Sequence, residues 1–118
     1  MSDETSIPIT VPGSYVCANG LNIYYEQHGS GEPLLLLHGG TGTCRWWDAH
    51  VALLAEHFQV FALDSRGHGK TDNPTGKFSY HAMGDDVAAF IQKLHLEQPL
   101  LVGFSDAGLF HVLTIGGW

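Results

Sequence analysis

The hexapeptide Gly103-Phe104-Ser105-Asp106-Ala107-Gly108 is the segment of this chain best suited to chemistry. It follows a short apolar run and precedes a helix-like one. A serine at a sharp strand-to-helix turn needs small neighbours, because the backbone there is strained and closely packed. Gly103, Ala107 and Gly108 supply them. The free N–H groups and positive dipole end of the helix behind such a serine suit a developing oxyanion. Ser105 is therefore the candidate nucleophile. Ala107 stands where the pattern G-x-S-x-G has its second glycine. An ordinary strand–turn–helix with an incidental serine thus stays open on these six residues alone.

Two further segments carry polar groups in suggestive spacing. His38-Gly39-Gly40-Thr41-Gly42 comes directly after an apolar run. Glycines at a strand end let backbone N–H groups point at a ligand, so this loop can supply an oxyanion donor. A phosphate-binding loop or a plain turn would use the same residues, although the Lys-Ser/Thr ending of a P-loop is absent. Asp64-Ser65-Arg66-Gly67-His68-Gly69-Lys70 reads as a structural loop at the carboxyl edge of a sheet, with Asp64 and Arg66 as structural charges. No catalytic role is expected for His68.

Stepping along the chain gives the elements that must hold these loops. Residues 1–13 read as a polar arm. Residues 14–18 and 21–27 are β-rich and flank Asn19-Gly20, a type I′ turn signal, which predicts a hairpin. The apolar runs Leu34–Leu37, Val60–Leu63 and Pro99–Phe104 have the length of strands buried on both faces. A helix is expected from Trp46 to His57, with Trp46, Trp47, Val51, Leu54 and Ala55 as its apolar stripe. A second is expected over 79–94, with Met83, Val87, Phe90, Ile91 and Leu94 as its stripe and Asp85 and Asp86 toward its favoured N-terminal end. A third, short helix is expected over Leu109–Ile115. The long segment from Asp64 to Lys77 is loop. Alternation of strand and helix predicts crossover connections and a mostly parallel sheet, in one domain over 14–118.

Composition narrows the function classes. The 118 residues carry a net charge of −7 with only five Lys and Arg, which excludes a nucleic-acid footprint and disfavours an anionic membrane surface. The N-terminal residues are acidic and lack an apolar core, so they do not read as a signal peptide. No apolar run approaches the length of a membrane span. Two cysteines, Cys17 and Cys44, sit in different elements without metal-ligand spacing. They read as reduced thiols in a cytoplasmic protein, and no metal or cofactor is implied.

HGG after the third strand, DSRGHGKTD after the fourth, Gly84-Asp85-Asp86 in the following helix and GFSDAG after the fifth occur here in order and in register. Together they resemble the α/β-hydrolase family, especially its small esterase-like members, over about Tyr15 to Gly108. The resemblance implies Ser105 as nucleophile and the backbone N–H groups of Gly40 and Asp106 as the oxyanion hole. It implies His38, with Gly39, as support for the oxyanion loop and not as the base. It also implies a small-molecule ester substrate and acyl-enzyme chemistry. Relatives that open epoxides or remove halide use an aspartate at the elbow, so Ser105 disfavours those reactions.

In the family the order is nucleophile, acid, histidine, yet only ten residues follow Gly108. Of eight histidines, seven precede Ser105, and His111 lies about 600° around a helix from it. The expectation is a truncated core of about five strands, with weak esterase activity at best. A non-catalytic fragment or pseudoenzyme serving as an interaction module is the competing expectation, and a piece of a longer protein is a third. By the family's strand order the hairpin lies at one sheet edge and strand 99–104 at the other, bare. An apolar bare edge predicts a homodimer or higher oligomer joined there.

Overall fold

The computed structural model describes residues 13–39 and 42–103. A hairpin opens the fold: β1 (Gly13–Ala18) pairs antiparallel with β2 (Leu21–His28). Asn19 and Gly20 both take positive φ, 52° and 76°, as a type I′ turn requires. Then come β3 (Glu32–Leu37), a 3₁₀ turn (Cys44–Trp47) leading into α1 (Asp48–Leu54), β4 (Phe58–Leu63), α2 (Tyr80–Lys93) and β5 (Leu100–Gly103).

The five strands form one sheet in the order β1-β2-β4-β3-β5. β2 meets β4 antiparallel, while β3 runs parallel to both β4 and β5. Four strands therefore point the same way and β2 alone opposes them. The hairpin takes one edge and β5 the other, as expected from the sequence.

Strands β3 and β4 are continuous apolar runs because both their faces are covered. Leu35, Leu37, Phe61 and Leu63 pack against Met83, Val87, Phe90 and Ile91 of α2. Leu34, Leu36, Val60 and Ala62 face the other way, onto Cys44, Trp47 and Val51. The two helices lie on opposite faces because β3→β4 steps one way across the sheet and β4→β5 returns past it.

Three sequence expectations need correction. The helix expected over Trp46–His57 is shorter and begins as a 3₁₀ turn, with the Thr43 side chain accepting from the Arg45 N–H at 3.2 Å. Three residues per turn shifts the phase of the stripe, so Trp47 is buried while Trp46 is 51% exposed. Asp86 is not a surface charge favouring the start of α2. It is the seventh residue of that helix, buried, and paired with Arg66. The stripe expected on α2 is otherwise present, with Leu94 partly buried against it. Strand 99–104 is observed as Leu100–Gly103, and only Leu101 packs toward the α2-side core. Leu100 and Val102 stay exposed. The helix expected over Leu109–Ile115 lies outside the described residues.

Candidate functional site

The carboxyl ends of β3 and β5 sit side by side, with Leu37 opposite Gly103. This is where the strand order reverses, and in open α/β sheets ligands bind in the crevice outside the strands' carboxyl ends at such a point. His38 and Gly39 leave β3 here, and Ser105 lies two residues beyond Gly103 in sequence. Ser105, Asp106 and Gly40 lie outside the described residues. His38 and Gly39 are described.

His38 is 2% exposed, and both its ring nitrogens are engaged. The Ser65 N–H donates to Nε2 at 2.9 Å. A backbone donor there requires an unprotonated Nε2, so the proton sits on Nδ1. Nδ1 then donates to the Gly39 carbonyl at 2.6 Å. The same carbonyl accepts from the Gly42 N–H at 3.1 Å. Burial is the main force holding the imidazole below its ordinary value, and His68, with ring centroids 5.2 Å apart, adds to it. The Gly39 contact and Asp64 oppose this. A neutral histidine with both nitrogens committed has no lone pair left for a nucleophile. It orients the loop.

The loop after β4 supplies the rest of the frame. Asp64 is buried, and its carboxylate accepts from the Cys44 N–H at 2.7 Å and the Lys70 N–H at 2.8 Å. The Arg66 guanidinium makes two 2.8 Å bonds to Asp86 of α2 and donates to the Lys77 carbonyl at 3.1 Å. Asn19 of the hairpin turn donates to the same Asp86 carboxylate at 2.8 Å. Asp64 and Arg66 are thus the structural charges the sequence suggested. Composition and periodicity gave no sign of their partners. His68 Nδ1 lies 2.9 Å from the Arg66 carbonyl, and its ring packs on Phe78. Among the described residues no group of three or more His, Cys, Asp or Glu is placed to hold a metal ion. Among them, too, no helix is long and apolar enough to cross a membrane. Neither cysteine is in a disulfide; Cys17 is exposed and Cys44 buried.

Known proteins resemble this chain in sequence and in fold. The soluble epoxide hydrolase of Corynebacterium sp. (strain C12) is 34% identical over 90 residues, 76% of this chain and 32% of that protein. The non-heme chloroperoxidase of Streptomyces lividans is 31% identical over 99 residues, 81% of this chain and 36% of that protein. A solved structure of an esterase from Exiguobacterium antarcticum matches with a TM-score of 0.80 at 33% identity, over 88% of this chain and 40% of that one. The chain spans about a third of the length of the curated relatives it matches. The family model for the alpha/beta hydrolase fold matches residues 32–110, a stretch that takes in β3, β4, β5 and the loops described above, and the chain belongs to that family.

Proposed function

We propose that the chain carries the nucleophile and oxyanion-holding part of a serine hydrolase acting on carboxylic esters. The observation that carries this reading is the locked, neutral His38 at the switch point of the sheet. Its Nδ1–H and the Gly42 N–H together fix the Gly39 carbonyl by two hydrogen bonds. A planar trans peptide points its N–H opposite to its C=O. A fixed carbonyl at this point is what a loop presenting a backbone donor to an oxyanion needs.

In this reading Ser105 Oγ attacks the ester carbonyl carbon, and the amides of Gly40 and Asp106 hold the oxyanion. The alcohol leaves with a proton as the acyl-enzyme forms, and water then releases the acid. No cofactor takes part. A serine at position 105 favours this route over the epoxide chemistry named for one relative, and the match to an esterase structure agrees with it.

His38 cannot serve as the base, so the 118 residues alone should be slow. Losing the histidine of a full triad costs about 10⁶ in kcat in subtilisin, while oxyanion hole and binding keep roughly 10³–10⁴ over water. The test is hydrolysis of p-nitrophenyl acetate by the pure chain beside Ser105→Ala, with labelling by a reactive fluorophosphonate. Slow turnover and a Ser105 adduct, both lost in Ser105→Ala, are expected. Absence of any adduct favours the competing reading, a non-catalytic interaction module.

A further inference from the structure

We propose that Asp64 is a positioning residue for the turn that leaves β3: its carboxylate clamps Cys44 at the far end while the Ser65 N–H clamps His38 at the near end. The inference rests on the serine-hydrolase reading and adds to it the device that holds His38 and Cys44 in place.

The loop is rich in glycine and therefore costly to order. A donor to an oxyanion helps only if its direction is set beforehand. Both ends of the loop are tied to two consecutive residues at the end of the neighbouring strand β4. At the start, Ser65 N–H donates to His38 Nε2 at 2.9 Å. At the finish, Cys44 N–H donates to Asp64 Oδ1 at 2.7 Å. Bonds from an amide to an ionised carboxylate are among the stronger hydrogen bonds in proteins.

The carboxylate itself stands on a rigid post. The Asp64 N–H donates to the Tyr24 carbonyl at 3.0 Å, and its own carbonyl accepts from Thr71 Oγ1 at 2.8 Å. Its second oxygen takes the Lys70 N–H at 2.8 Å, so one side chain spans the loops after β3 and β4. Gly69 makes that approach possible. Its φ is +53°, and an added Cβ would overlap Asp64 Oδ2.

A merely structural acid would affect stability alone. A positioning acid affects the reactivity of the molecules that remain folded. The experiment uses the whole chain as wild type, Asp64→Asn, Gly69→Ala and Phe90→Leu, the last a destabilised core variant. Asn keeps one acceptor oxygen and turns an NH₂ toward the other amide, while Gly69→Ala attacks the same contact from the opposite side. Two readouts are taken: fluorophosphonate labelling of Ser105 per folded molecule, and hydrogen exchange at Gly42 and Cys44 relative to α2.

Asp64→Asn and Gly69→Ala should slow labelling about 10- to 100-fold, the scale of small misplacements in a site. They should also raise exchange at Gly42 and Cys44, and Phe90→Leu should do neither once stability is accounted for. Labelling by Asp64→Asn that falls only in step with stability, as for Phe90→Leu, would overturn the proposal. Should the wild type take no label, the ester reading fails and exchange decides alone. Unchanged protection of Gly42 and Cys44 in Asp64→Asn then overturns the clamp, and selective loss of it supports the clamp. If Asp64→Asn does not fold, Gly69→Ala carries both readouts.

Discussion

His38 shows how one buried side chain couples a site to pH. Burial holds its imidazole below the ordinary value of about 6.5. As pH falls, the unfolded chain takes up this proton first, so the group's stability contribution is whole above about pH 6.5 and is lost below it. Protonation in the folded state would also set an Nε2–H against the Ser65 N–H. The expected outcome is a fall in the urea midpoint between pH 7.5 and pH 5.5 that is larger in wild type than in His38→Gln. The slope from one such proton is at most about 1.4 kcal/mol per pH unit. Equal slopes in the two proteins would remove His38 from this role.

Among the elements, the long loop after β4 and helix α2 depend on each other through one ion pair. Arg66 and Asp86 are both buried and meet in a two-pronged geometry at 2.8 Å. Asp86→Ala strands the guanidinium in the core, and breaking a buried pair this way typically costs about 3–5 kcal/mol. Replacing both residues, as Arg66→Met with Asp86→Leu, should restore most of that loss. The Lys77 carbonyl would keep the Asn73 side-chain donor at 3.0 Å. Urea unfolding of the two variants checks both statements, and a double variant no more stable than Asp86→Ala would show that the pair does more than neutralise itself.

On the scale of the whole molecule, β5 is the last of the described strands on the side away from the hairpin. Its register ties it to β3 on one side. Leu100 and Val102 are 49% and 41% exposed on the face that Leu34 and Leu36 share with α1. Apolar edges of this kind pair with other chains unless charge or proline blunts them. We expect the 118-residue chain to associate through this edge, as an antiparallel two-fold pair or a larger assembly. Light scattering at micromolar concentration should show a mass above that of one chain. Val102→Lys should return it to one chain with little change in melting temperature. A monomeric wild type would rule the edge out as the contact.

The chain by itself determined its elements and their order. Asn19-Gly20 dictated the hairpin turn because few residue pairs accept two positive φ values. The unbroken runs Leu34–Leu37 and Val60–Leu63 dictated two-sided burial, and the spacing of Met83, Val87, Phe90 and Ile91 dictated the buried face of α2. The fold family was also legible there, because four motifs stand in register. What only the tertiary structure decided is which polar groups meet. Asp86 lies 20 residues from Arg66 and 67 from Asn19, and Asp64 lies 20 from Cys44. No local pattern encodes such pairs, since a side chain's partner across a sheet or between loops depends on how strands stack. The same holds for His38. The family resemblance gave it as an orienting residue of the loop, without naming what it would bond. Its commitment to Ser65 and Gly39 arises only because the parallel register of β3 and β4 sets Leu37 beside Leu63 and so brings the two strand ends together.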